Sequence, residues 1–272
     1  MRTLCIYNAK GGVGKTTSAM GLASYLAVWG KKTLLVDFDP QGNATSGLGV
    51  LHQPEETIYH ALLSGQDYTS VIKKTHLTSL DVVPASQDLA GALIELVALP
   101  ERETYLRNFI EKVRESYEFI IIDLGPSLNL LTVNGLLAAD EVLIPIQCEY
   151  YSLEGVSQLL ATIEMIRNNL GHKLKIAGAL LTMYDDNQKL SEEVADEIRK
   201  NFPHYVYEAV IPRSISLAEA PSFRRPIVLY APQSPGAQAY EKLALEVIRQ
   251  GSENGSHDEN DIAASFRERR RD

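Results

Sequence analysis

Asn8-Ala9-Lys10-Gly11-Gly12-Val13-Gly14-Lys15-Thr16-Thr17 stands directly after the apolar run Leu4–Tyr7 and directly before a stretch with apolar residues at helical spacing. Strand, glycine-rich turn and helix in that order form a phosphate-binding loop. The usual pattern is G-x-x-x-x-G-K-[ST]: backbone N–H groups cradle phosphates, the lysine reaches the terminal phosphates, and the hydroxyl serves Mg²⁺. Gly14-Lys15-Thr16 fill its last three places, but Ala9 stands where the first glycine belongs. In compensation the loop carries a second cation, Lys10, followed by Gly11 and Gly12. Two lysines imply that more phosphate charge is handled than one loop needs. An ordinary strand-to-helix turn would require neither lysine nor the hydroxyl. A phosphate-bearing ligand with Mg²⁺ is expected, and an amphipathic helix is expected to follow.

Outward from the loop, apolar runs alternate with helical patterns, which implies βαβ units. Strands are expected at Thr3–Tyr7, Thr33–Asp37, Leu80–Val83, Phe119–Asp123, Glu141–Ile146, Lys175–Leu181 and Val206–Ile211. Several are unbroken Ile/Leu/Val runs, the pattern of strands covered on both faces. Helical stripes recur at Ala19, Leu22, Ala23, Leu26, at Val156, Leu159, Leu160, Ile163, and at Tyr240, Leu243, Ala244, Val247. The expected fold is therefore α/β: a mostly parallel twisted sheet with helices on both faces, in one domain over residues 1–250. Residues 251–272 change to Gly/Ser/Asn/acid and end in Arg267, Arg269, Arg270 and Arg271, a composition expected of a mobile tail.

The 272 residues are 45% hydrophobic and 22% charged, with net charge −9. No apolar run approaches the roughly 20 residues that cross a bilayer, and no signal-peptide layout precedes the first strand. Cys5 and Cys148 lie in apolar runs without metal-site spacing. A cytoplasmic protein is expected. Acidic net charge argues against a constitutively basic nucleic-acid binder but leaves room for a local basic patch.

A second motif, Asp37-Phe38-Asp39-Pro40-Gln41-Gly42-Asn43, closes the next strand. Residues just past the carboxyl ends of parallel strands face the ligand crevice. Asp37 and Asp39 point the same way if extended; one carboxylate suits a metal-bound water, the other an attacking water. A third motif, Phe119-Ile120-Ile121-Ile122-Asp123, is an apolar strand ending in an acid, the pattern that supports Mg²⁺ in P-loop enzymes. Thr16, Asp37 and Asp123 are thus the expected metal-side residues.

Taken together, these motifs resemble the ParA/Soj family of DNA-partition ATPases, within the deviant-Walker-A group that includes MinD. The likeness continues through Leu181-Thr182-Met183-Tyr184-Asp185, Ile211-Pro212-Arg213-Ser214 and Glu219-Ala220-Pro221, over about residues 1–250. The resemblance implies that Lys15 contacts the terminal phosphates, Thr16 ligates Mg²⁺, Thr17 lies near the α phosphate, and the base sits near Met183 and Pro212. It implies that Lys10 reaches across a homodimer to the partner's ATP, with Gly11 at the junction, and that Asp39 orients the attacking water. Catalysis would then rest on Lys10, Lys15 and Asp39, and nucleotide binding on residues 10–17. It further implies non-specific DNA binding in the ATP state, nucleoid association, and a ParB-like centromere-binding partner that stimulates hydrolysis. Candidate phosphate contacts are Arg213, Arg224, Arg225 and Lys242.

The sequence departs from the family in two places. Leu124-Gly125-Pro126 replaces a small residue and two prolines, and Pro235 stands where an arginine is usual. Arg224-Arg225, where Gly-Lys is usual, offers compensation. Two rivals share the fold. A MinD-like membrane-surface ATPase would need a terminal amphipathic helix, for which Ile262, Ala263, Ala264 and Phe266 offer little apolar area. The second rival is a metabolic enzyme or metal-cluster carrier: a cluster carrier would need paired cysteines, which Cys5 and Cys148 do not supply, and an amide-forming ligase would need a substrate pocket that no motif here marks.

Overall fold

A computed structural model describes residues 1–64, 67–149 and 152–253. Eight strands form one sheet: β1 Arg2–Ile6, β2 Thr33–Phe38, β3 Lys73–Lys74, β4 Leu80–Val83, β5 Phe119–Leu124, β6 Glu141–Gln147, β7 Lys175–Tyr184 and β8 Val206–Pro212. Their order is β3-β4-β2-β5-β1-β6-β7-β8, all parallel except β3, which pairs antiparallel with β4. The helices are α1 Lys15–Val28, α2 Asn43–Gly47, α3 Ile58–Leu63, α4 Ala92–Glu95, α5 Tyr105–Val113 and α6 Leu130–Ala138. They continue with α7 Ser152–Leu170, α8 Lys189–Asn201, α9 Ile215–Glu219, α10 Ile227–Tyr230 and α11 Pro235–Glu253. All seven strands expected from the sequence are present within a few residues of their expected ends.

Alternation along each strand divides the core into two layers. Cys5 and Tyr7 of β1 and its exit, Leu34, Val36 and Phe38 of β2, and Ile120, Ile122 and Leu124 of β5 face one layer. There they meet α3, α5, α6, α7 and α8. Leu4, Ile6, Leu35 and Ile121 face the other, against α1, α10 and α11. Ile120, Ile121 and Ile122 are fully buried, each worth about 1.5–3 kcal/mol. The same alternation puts Asp37, two residues after Leu35, and Asp123, two after Ile121, on the α1 face. The β2–β5 register sets them side by side.

One expectation needs correction. α1 is not amphipathic: residues from Lys15 through Ala27 are buried almost all round. Its outer side is covered by α11, where Tyr240 lies so close that a Cβ on Gly21 would stand 2.6 Å from its ring. Helix α11 runs on to Glu253, and Gly251 lies against Arg2. The rest of the expected tail, with Ile262–Phe266, lies outside the described residues. Among the described residues, no helix is long and apolar enough to cross a membrane.

Candidate functional site

Helix α1 begins without a side-chain cap. Its N-cap is Gly14 in the left-handed conformation (φ 86°), and no acid lies in its first turn. Glycine adopts that conformation at little cost. The first N–H groups and the positive end of the helix dipole are thereby left for an anion. The loop before it is braced at both ends. Asn8 Nδ2 donates to the Pro145 carbonyl (2.8 Å) and Asn8 Oδ1 accepts from Lys10 N (3.0 Å). Thr182 Oγ1 donates to the Val13 carbonyl (2.9 Å).

The two lysines occupy different environments. Lys15 is 7% exposed, and its Nζ donates to the Lys10 carbonyl (2.8 Å), curling the loop around it. Burial pulls its pKa down, while the charges of Asp123 and Asp39 push it back up. Lys10 is exposed, and its ammonium has no partner among the described residues. A Cβ on Gly11 would meet nothing within 4 Å, so nothing in the folded subunit itself requires glycine there.

Beneath the loop sit three carboxylates. Asp37 is fully buried and its Oδ2 accepts from Thr45 N (2.8 Å) and Thr45 Oγ1 (2.6 Å). Its Oδ1 accepts from Asp39 N (3.3 Å). Burial pushes Asp37 up to about 6, with the Thr45 bonds offsetting part of the rise. Asp39, 9% exposed, accepts from Gln41 N through Oδ1 (3.0 Å). Asp123 is fully buried with no hydrogen-bond partner on either oxygen. Burial first, and then the neighbouring Asp37 charge, hold it well above the usual carboxylate range. The Thr16 hydroxyl lies near enough to offset part of that rise without a bond of normal geometry.

The residues here have the chemistry to hold a cation. An unpaired buried carboxylate is costly, and hard oxygen donors at Thr16 and Asp123 suit Mg²⁺. That ion is typically held by one or two carboxylates together with substrate phosphates. Both Asp37 oxygens accept hydrogen bonds from the turn that follows, Oδ2 from Thr45 and Oδ1 from Asp39 N.

Met183 and Pro212, expected beside the base, line one cavity of about 220 Å³ together with Gly14, Thr17 and Thr182. Met183 adopts a left-handed backbone (φ 52°), and its sulfur accepts from Gln147 Nε2 (3.2 Å). The cationic candidates do not share one recess. Arg213 lines this cavity and pairs with Glu149 (3.2 Å). Arg224 lines a different cavity, beyond β2 and β4. Arg225 and Lys242 are exposed.

The sequence reading overlooked Thr45, Thr182 and the consequence of Gly125. A Cβ on Gly125 would stand 3.3 Å from Asp39 Cγ and 3.4 Å from both its oxygens. Loop 124–129 is anchored past that point by Asn129, whose Oδ1 caps α6 by accepting from Leu131 N and Thr132 N. Threonine two residues into the Gly42-Asn43 turn was the available signal for Thr45; the other two stand in segments the sequence marks, but their contacts to Val13 and Asp39 are made across the fold.

Comparison with known proteins agrees with this geometry. Residues 1–176 match the family described as AAA domain. The chain is 50% identical over 251 residues to sporulation initiation inhibitor protein Soj of Bacillus subtilis, covering 92% of this chain and 99% of that protein. It is 48% identical over 251 residues to chromosome partitioning protein ParA of Caulobacter vibrioides, covering 91% and 94%. Cobyrinic acid a,c-diamide synthase of Mycobacterium smegmatis, solved with an ATP analogue and magnesium, superposes with TM-score 0.80 at 33% identity, over 93% of this chain and 96% of that one. Since that fold also serves amide synthesis, architecture alone does not assign the reaction. The loop, the paired acids and the near-full-length relatives do: the chain belongs to the ParA/Soj family of chromosome-partitioning ATPases.

Proposed function

We propose that this ATPase is a dimerising switch, in which two subunits face each other across two bound nucleotides and each contributes Lys10 to the other's site. The observation that carries the reading is the contrast between the two lysines. Lys15 is drawn inside its own loop; Lys10, on the exposed rim, has no partner of its own among the described residues. The open space around Gly11 supports the same reading, because a glycine with room to spare in one subunit makes sense where a second approaches.

Each residue then has a physical task. Lys15 and the uncapped N–H groups of α1 neutralise phosphate charge. Thr16 and Asp123 would hold Mg²⁺, whose chemistry when bound is charge neutralisation on the transferring phosphoryl group. Asp39 accepts a hydrogen bond from, and orients, a water molecule, and Asp37 with Thr45 fixes the turn beneath it. A cation supplied by the partner subunit stabilises charge that develops during transfer, as an arginine finger does. Assembly is thereby tied to the nucleotide state.

In the ATP state the dimer binds DNA without sequence preference through Arg213, Arg224, Arg225 and Lys242. A ParB-like centromere-binding protein accelerates hydrolysis and so releases it. The deciding experiment is duplex binding with ATP, with ADP and without nucleotide, over a series of salt concentrations. Binding confined to ATP, falling steeply with salt, is expected. Equal binding in all three conditions, or none, overturns the DNA half of the proposal.

A further inference from the structure

Beyond the carboxyl ends of β2 and β4 lies a second cavity, of about 370 Å³, separate from the nucleotide loop. Its donors come from three segments: Gln41 and Ser46 around α2, His52 after it, Gln87 after β4, and Arg224. None of its lining residues is acidic, in a chain of net charge −9. Crevices at the carboxyl ends of parallel strands are where this class of sheet binds ligands.

Arg224 is built into the cavity wall at a conformational cost. Its backbone is left-handed, with φ 54° and ψ 40°, a state that glycine or asparagine adopts more readily. The surroundings hold it there. Arg224 N donates to the Pro221 carbonyl (2.9 Å), and Gly49 approaches so closely that a Cβ would lie 2.6 Å from the Arg224 carbonyl. Its guanidinium has no partner among the described residues. An uncompensated cation in a costly backbone state points toward a use outside the fold.

The cavity also borders the catalytic turn. Gln41 N donates to Asp39 Oδ1 (3.0 Å) and Gly42 N to the Asp39 carbonyl (2.9 Å). We propose that this cavity seats one phosphate group of the DNA backbone, gripped by Arg224 with Gln41 and Gln87, and that its occupancy is felt by Asp39 through the Gln41–Gly42 turn. The proposal rests on the DNA-binding reading above and adds to it a particular seat and a route to hydrolysis. Free phosphate offers the same chemistry, so the test separates the two sources.

The test uses the full chain with Mg²⁺ and a non-hydrolysable ATP analogue. Arg224→Gly relieves the backbone and so keeps the fold. In duplex binding across a KCl series it should lower the slope of log affinity against log salt by about 0.9 for each subunit that loses its contact. Gln87→Ala removes a neutral donor and should weaken binding severalfold at unchanged slope. In a second arm, inorganic phosphate is compared with chloride at equal ionic strength, read by the side-chain amide resonances of Gln41 and Gln87. Resonances that move with duplex and with phosphate, together with the slope change, support the seat. Resonances that move with phosphate alone, at an unchanged slope, overturn DNA as the source. Neither response in a wild type that binds DNA overturns the seat itself. A wild type that binds no DNA overturns the earlier reading, and the phosphate arm alone then judges the cavity. In a third arm, run with hydrolysable Mg-ATP, stimulation of wild-type ATPase by duplex should disappear in Arg224→Gly; stimulation that persists, or a wild type that duplex does not stimulate, removes the route to Asp39.

Discussion

Replacing Asp123 by Asn should stabilise the nucleotide-free protein while abolishing its response to Mg²⁺. Both Asp123 oxygens are buried without a hydrogen-bond partner, and Asp37 lies beside it in register. An unsatisfied buried polar group costs about 1–3 kcal/mol, and more when charged; Asn removes the charge and the repulsion at the same shape. For a domain of this size each kcal/mol moves Tm by about 2–4 °C, so a gain of about 2 kcal/mol should raise the apo Tm by roughly 4–8 °C. The pH dependence has a definite sign. The folded pKa of Asp123 is raised above its unfolded value, so wild-type stability is fully present below the unfolded pKa and is lost as pH rises through the folded one. The advantage of Asn should therefore be greatest in alkali and should vanish below about pH 4, the ordinary aspartate range. With Mg-ATP the order should invert, because a ligand at 100 times its Kd stabilises the wild type by about 2.7 kcal/mol. Calorimetric melting of both proteins, apo and loaded, across pH is the assay. An Asn variant less stable than the wild type when apo, a gap that does not close in acid, or equal stabilisation by Mg-ATP would refute the reasoning.

Three further outcomes are expected. Lys15→Ala removes a charge-assisted contact worth about 1.5–3 kcal/mol, and calorimetry should find ATP bound about 10–100-fold more weakly; wild-type affinity would displace the site. Gly125→Ala puts a Cβ 3.3 Å from the Asp39 carboxylate, displacing it by a few tenths of an ångström, so kcat should fall about three- to tenfold with little change in ATP affinity, and an unchanged kcat would remove Asp39 from the reacting geometry. Arg213→Glu, made beside the exposed partner Glu149 and near Asp185, should weaken DNA binding and flatten its salt dependence; binding like the wild type at every salt concentration would leave Arg213 a solvated charge.

The legible parts of this fold were those governed by local chemistry. Continuous Ile/Leu/Val runs betrayed the parallel strands because both faces are covered, and Gly14-Lys15-Thr16 betrayed the loop because only that spacing presents N–H groups, cation and hydroxyl together. What escaped depends on contacts distant in sequence. β3 is a pair of lysines with no apolar pattern; it exists because β4 offers an edge and Lys74 pairs with Asp81 (2.9 Å). α1 read as amphipathic because nothing nearby announces that α11 will cover its outer side. The Thr45 bonds to Asp37 were not legible, because Thr45 is brought to it by the turn through Gly42. Arg224 read as one surface cation among several, since neither its left-handed backbone nor its cavity is written in the residues beside it.

The switch itself is tested most directly by the mass of the ATP-bound particle. Asp39→Ala, which should bind ATP without hydrolysing it, is sedimented in Mg-ATP with Lys10 intact and with Lys10→Ala added. The account predicts a dimer in the first case and, in the second, a monomer that still binds ATP with the affinity set by Lys15. A dimer that persists without Lys10 would contradict the exchange of lysines between subunits.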